Sequence, residues 1–284
     1  MIYILTFDIE KWFHSFEFDN KKDSTPGNGY DKRLERNLDC LLSFLEESNK
    51  NATFFVSGWI GRHYPQVVKQ ILQNGHEIGL RTQGCDIYTK FPEQSFREYI
   101  HRNISVIQDL SGQIIKYYRS PDHLINNTKW AFLVLAQEGV EIDSSVTPAI
   151  YYGVSGQVLY NTPCWIKSDG IIMKEMPANT LGFQRSKYGF SKNGNIKIQP
   201  SWSINFLNKN SDYLMTYFYY RDFEEEEPSI EQELCSCLRY WYAKARKKKI
   251  NSLSDWIGKH DFITLSQASD KVEWESAGVI NLDL

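Results

Sequence analysis

The chain has 284 residues, a formal net charge of -3, 42% hydrophobic and 24% charged side chains, which is an ordinary globular composition. A chain this long buries about three-quarters of its unfolded surface, so its core needs no disulfide staples. Mild acidity excludes the concentrated basic face that nucleic-acid or membrane-surface binding requires, and no run approaches the ~20 apolar residues that span a bilayer. The acidic run at 224–227 and the lysines at 247–249 read as solvated faces. Cys40, Cys85, Cys164, Cys235 and Cys237 are odd in number and scattered, which is neither a disulfide framework nor a zinc-knuckle spacing. A reducing compartment follows. Residues 2–5 read as a buried strand rather than a signal-peptide core, so a cytoplasmic location is expected.

In chain order, a strand is expected at 2–8, ending in the acidic pair Asp8 and Glu10. Residues 19–30, with Pro26, Gly27 and Gly29, form a loop. Leucines at 34, 38, 41, 42 and 45 place an amphipathic helix over 31–49. A strand at 52–57 (ATFFVS) precedes a helix at 65–74 that stops at Gly75. Then come a strand at 76–80, a long helix at 92–111 stopped by Gly112, a strand at 117–119, and a helix at 128–138 ended by Gly139. This alternation argues for an α/β fold with a largely parallel sheet. From 150 to 220 short strands with Gly and Pro breaks replace it, closing on the strand-like run YLMTYFYY at 213–220. A helix over 228–249 and a strand at 262–265 follow. No linker divides the chain, so one domain over 1–284 is expected.

In parallel α/β folds, functional side chains gather at the C-terminal ends of strands. Asp8 and Glu10, residues 81–86, Arg119 and Asp122, Asp143, and residues 219–222 stand there. Histidines 14, 63, 101, 123 and 260 show no ligand-like spacing, although His14 and His123 stand near strand ends.

Six stretches go further: TFDIEKWFH (6–14), ATFFVSGWIGRHYPQVVKQILQNGHEIG (52–79), YYRSPDH (117–123), EIDSSVTP (141–148), KEMPANTL (174–181) and MTYFYYRDF (215–223). In kind and order they resemble the polysaccharide deacetylase family, carbohydrate esterase family 4. The resemblance implies a distorted (β/α) barrel of about seven strands. It also implies removal of acetyl groups from sugars of bacterial surface polysaccharides, at a divalent metal, generally zinc, held by one Asp and two His. That metal lowers the pKa of its water, an Asp acts as base, an Arg orients the base, and a His protonates the leaving amine. Carried onto this sequence, Asp8 stands at the base, Arg119 at the orienting Arg and Asp143 at the fourth-motif acid. His76, within GHEI, is a structural position.

The remaining positions depart from the pattern. The metal-ligand Asp falls on Glu10 or Lys11, the two His on Arg81 and Cys85, and the acid on Tyr219. Arginine is always charged and cannot ligate a metal. Lysine must first lose a proton, and tyrosine titrates near 10. Cysteine alone among them ligates zinc readily, as thiolate. The expected site is one without metal or other cofactor, with the Arg81 guanidinium within salt-bridge reach of Asp8 or Glu10 where the dication would sit. Such a protein would bind a carbohydrate or polysaccharide precursor, or a protein partner, without hydrolysis. The other reading is an active deacetylase whose rebuilt site holds zinc among Asp8, Glu10, Cys85 and Asp86. A third is a scaffold that no longer touches sugars. Trp12, Trp59, Trp165, Tyr151, Tyr152 and Tyr219 add to an aromatic content of 14%; most aromatics are core, and a few near strand ends are candidates for stacking on sugar rings.

Overall fold

The structure, a computed structural model, describes residues 1–9, 30–82, 92–120, 129–146, 161–181, 188–189, 212–223, 247 and 250–283. Apolar strands alternate with helices from the start: β1 (Ile2–Ile4), β2 (Thr6–Ile9), α1 (Tyr30–Glu47), β3 (Thr53–Ser57), α2 (Gly58–His63), α3 (Pro65–Gln73), β4 (Glu77–Arg81), α4 (Glu93–Ser111), β5 (Tyr117–Arg119), α5 (Lys129–Gln137) and β6 (Ile142–Asp143). A hairpin of β7 (Cys164–Ser168) and β8 (Ile171–Glu175) follows, then β9 (Thr180–Leu181), β10 (Tyr188–Gly189), β11 (Tyr213–Met215) and β12 (Phe218–Tyr219). Helix α6 (250–259), β13 (Phe262–Ile263), α7 (Leu265–Asp270) and β14 (Gly278–Asn281) end the chain. Gly112 stops α4 at φ 66, its N–H reaching Gln108 O at 2.8 Å, a left-handed turn that a side chain would strain.

Seven strand positions run parallel side by side: β11/β12, β1/β2, β3, β4, β5, β6 and β8. This is the α/β arrangement of about seven strands expected from the sequence. No backbone ladder joins its two edges among the described residues. The Asn179 side chain does so instead: its Nδ2 donates to Tyr213 O at 3.1 Å and its Oδ1 accepts from Met215 N at 2.7 Å. An amide side chain here imitates a strand peptide.

The single strands expected at 2–8 and 213–220 are each broken. At Leu5 the N–H goes to Ile263 O and the carbonyl takes the Thr53 N–H, so the chain changes neighbour from β13 to β3. Opposite, the Thr216 hydroxyl donates to Ile4 O and accepts from Thr6 N, at 2.8 and 3.0 Å. The strand expected at 262–265 stops at Ile263, because Thr264 caps α7 through a reciprocal pair with Gln267. The helix expected over 228–249 lies outside the described residues except at 247, where the chain is helical.

Apolar faces of α1, α3, α4 and α5 pack on one side of the sheet, around Leu38, Val67, Ile104 and Leu135. A smaller cluster on the other side joins Ile4, Phe55, Ile142, Met176 and Met215 to Leu265 and Ala268 of α7. Glu77 latches α7 to the sheet. It accepts the Thr53 hydroxyl at 2.8 Å and the Thr264 hydroxyl at 2.7 Å, and the Ser266 hydroxyl as well.

Candidate functional site

Strand alternation sets the site. Thr6 and Asp8 on β2, Phe55 on β3, Gly79 and Arg81 on β4, and Arg119 on β5 fall on one face by their two-residue spacing and register. Tyr219, paired with Asp8, brings Tyr217 and Met215 to that face. Asp8, Arg81 and Arg119 are all buried, at 0%, 1% and 0% exposure. Ions this deep persist only when paired and hydrogen-bonded.

They are. Arg119 Nη1 donates to Asp8 Oδ1 at 3.1 Å and to Thr6 Oγ1 at 2.7 Å, while Nη2 reaches Ser144 Oγ at 3.0 Å. Its guanidinium carbon lies 4.1 Å from the Phe55 ring centre and 4.0 Å from that of Tyr217. Two aromatic faces thus hold the cation in one plane. Gly79 leaves the room: a Cβ there would stand 2.8 Å from the Phe55 ring and 2.9 Å from Tyr117 Cβ. Arg81 takes the other carboxylate oxygen, with Nη1 2.5 Å from Asp8 Oδ2 and 2.9 Å from the Tyr217 hydroxyl. The Tyr217 hydroxyl donates in turn to Ser120 O at 3.1 Å. Burial raises its pKa, so the phenol stays neutral.

Two guanidinium groups against one carboxylate leave an excess positive charge. Asp143 and Glu175, neighbours in register and both wholly buried, supply the balance. Burial raises both pKa values, and the Asp143 charge adds to the rise at Glu175, which is the larger. Ser145 N–H and hydroxyl hold Asp143. Glu175 Oε1 accepts Val146 N at 3.1 Å, while Oε2 meets no donor among the described residues. One proton held between the two carboxyls would satisfy that oxygen and leave the pair with one negative charge, equal to the excess positive charge of the two guanidinium groups on Asp8.

Of the sequence candidates, the structure brings Asp8, Arg81, Arg119 and Tyr219 together and sets Asp143 nearby, within the field of Arg119. The Tyr219 ring centre is 5.8 Å from the Arg81 guanidinium carbon. Glu10, Lys11, Cys85, Asp86, Asp122, His14, His123, Trp12, Tyr151 and Tyr152 lie outside the described residues. His63 and His260 bond to the carbonyls of Trp59 and Trp256, and His101 pairs with Glu138, each apart from the cluster. His76 is buried against Phe54 with neither ring nitrogen bonded among the described residues, and burial lowers its pKa to about 4. It is a neutral core ring. Sequence reading passed over Thr6, Tyr217 and Glu175 as site residues. Thr6 and Tyr217 were open to detection, each standing two residues before a singled-out position and so on the same strand face.

The described residues do not suit a dication beside Asp8. Each Asp8 oxygen already faces a guanidinium, and Arg81 is a fixed cation with no lone pair to give.

Residues 18–140 match the family model for polysaccharide deacetylase. A peptidoglycan-N-acetylglucosamine deacetylase from Bacillus cereus is 31% identical over 123 residues, 43% of this chain. The match spans 44% of that relative's length, under half of it. Among solved structures, one from Mycobacterium smegmatis assigned as a polysaccharide deacetylase superposes with a TM-score of 0.58 at 16% identity, over 86% of this chain and 79% of that one. A peptidoglycan deacetylase from Bacillus subtilis matches at 15% identity over 95% and 90% of the two chains, with a TM-score of 0.45. The first superposition matches the fold built above, and the family-model match covers α1 to α5. Over residues 18–140 the chain is similar to the polysaccharide deacetylase family, and over most of its length it shares the fold of the Mycobacterium smegmatis structure.

Proposed function

We propose that this protein is a single-domain deacetylase-like protein of carbohydrate metabolism that binds a saccharide or polysaccharide precursor without metal-dependent hydrolysis. The observation that carries the reading is the buried contact of Arg81 with Asp8, 2.5 Å from nitrogen to oxygen. A catalytic base needs an oxygen free to take a proton from water. Here one Asp8 oxygen is turned to Arg81 and the other to Arg119. Cys85 and Tyr219 point the same way, since they stand, with Arg81, where the family resemblance calls for imidazoles.

Zinc content and acetate release, measured on the purified protein with N-acetylated chitopentaose as substrate, test the reading. The expected result is no stoichiometric zinc and no acetate. Acetate release accompanied by one zinc per chain, both lost in Cys85→Ala, overturns it in favour of a rebuilt active site. The combined variant Arg81→His, Cys85→His, Lys11→Asp is expected to gain zinc.

A further inference from the structure

From the face of β7, β8 and β14 turned away from α5, we infer that this chain docks on a second copy of itself, through a two-fold contact that sets Lys167 of each copy against Glu275 of the other. The inference goes beyond the Asp8 site and does not depend on how that site is read.

Strand alternation builds the face. Cys164, Ile166, Met173 and Ile280 turn inward, at 0 to 3% exposure. Trp165, Lys167, Ile172 and Val279 turn the other way. The register sets Trp165 beside Val279, and Lys167 opposite Ile172. Ile172 is 72% exposed and Val279 42%. Among the described residues only Met1 and Ile114 are large apolar side chains left as open to water, and those two do not share a face with each other or with this one. Ile172 and Val279 do share one, on either side of β7, and apolar groups gathered in this way mark a contact surface. A cleft of about 360 Å³ lies between them, bordered also by Trp165, Ala277, Lys167 and Glu275.

Part of the neighbourhood is spent on the chain's own packing. Trp274 packs against the smaller apolar cluster and donates from Nε1 to Ser269 O at 2.8 Å, and Lys174 reaches Ser269 Oγ at 3.2 Å. Trp165 Nε1 donates to Trp274 O at 2.9 Å. These bonds fix the floor of the cleft. Its charges are left over. Lys167 and Glu275 are exposed, and neither makes an ion pair among the described residues. One ammonium and one carboxylate give the face no net charge, so nothing in it selects a polyanion or a polycation. The two charges stand at opposite ends instead. Lys167 pairs in register with Asn281, the last residue of β14, whereas Glu275 precedes Gly278, the first. A two-fold axis lying across the strands reverses their direction, and so lays the Lys167 end of one copy over the Glu275 end of the other. Two equivalent ion pairs then form around Ile172 and Val279, which leave water. The same patch serves both partners, as closed two-fold assembly requires, and opposite charges set the register.

Sedimentation velocity of the full chain, from ~1 to ~200 μM, tests this across the range in which weak, transient contacts of small area associate. A dimer that grows with concentration and weakens as salt rises is expected. Ile172→Asp, on an exposed side chain, is expected to weaken association about 10-fold or more with an unchanged melting temperature. Lys167→Glu and Glu275→Lys each set like charges against each other across the axis and are expected to weaken it about 5-fold. An equimolar mixture of those two variants sets opposite charges together again and is expected to recover dimers. A chain that stays monomeric throughout overturns the inference and gives the face to a different occupant. A dimer that Ile172→Asp leaves intact overturns it as well, as does a mixture that associates no better than either variant alone. Each of these failures leaves the reading of the Asp8 site standing, because zinc content and acetate release decide that separately.

Discussion

Two carboxylates, one half-buried and one buried, order opposite ends of the same sheet by different means. Glu77, at the start of β4, is held by neutral donors: the hydroxyls of Thr53, Thr264 and Ser266 and the Ser266 N–H. Asp8, near the end of β2, is held by two guanidinium groups. Neutral donors satisfy a carboxylate locally. Cations do so while adding charge that must be balanced elsewhere, here by the Asp143–Glu175 pair. The first end is therefore a mechanical latch, and the second a charge cluster in which no member can be changed alone.

The largest expected effect lies in that cluster. Arg119→Met removes the guanidinium clamped between Phe55 and Tyr217 and leaves Thr6, Ser144 and one Asp8 oxygen without their donor. Breaking a buried pair costs about 3–5 kcal/mol, and thermal denaturation should report a loss of roughly 10 °C. Arg81→Met should cost less, since Arg119 still faces Asp8. A loss under 1 °C in both variants would show that the cluster is not coupled as described. Gly79→Ala ranks next, at about 1–3 kcal/mol from overpacking against Phe55. Denaturant midpoints measure it, and an unchanged midpoint would mean that Phe55 has room to move.

Smaller effects separate the charge cluster from the neutral core by pH. Glu175 has a raised folded pKa, so its contribution is full below the unfolded value and is lost as pH rises through the folded one. Glu175→Gln imitates the protonated group and should flatten the alkaline fall in stability. A steeper fall would place the proton elsewhere. His76 has the opposite sign. Its pKa drops to about 4 on folding, so the unfolded chain binds the proton first, and stability falls as pH drops from about 6.5 towards 4. His76→Leu should remove that slope without loss at pH 8, and an unaltered slope would point to other groups.

Much of this was legible in the sequence. Alternating apolar runs and glycine stops gave the parallel α/β order, and two-residue spacing put Asp8, Arg81 and Arg119 at neighbouring strand ends. Substitution of a charged arginine where the resemblance calls for histidine pointed to its carboxylate partner. The breaks at Leu5 and Thr216 were not legible, because both runs are uniformly strand-like and the break comes from exchanging neighbours in space. Closure by Asn179 was hidden for the same reason: nothing local distinguishes an asparagine that replaces a ladder peptide from one in a turn. The proton shared by Asp143 and Glu175 depends on two strands meeting in register, and Trp274 finds Trp165 across 109 residues of chain.

The central claim is that the Arg81 guanidinium takes the place of a metal cation beside Asp8. Its most direct test is the melting temperature with and without 1 mM zinc, because a ligand that binds only the folded state must raise it. The account predicts no shift for the native chain and a rise of several degrees for the combined Arg81→His, Cys85→His, Lys11→Asp variant. A rise of several degrees in the native chain, abolished by Cys85→Ala, would contradict it.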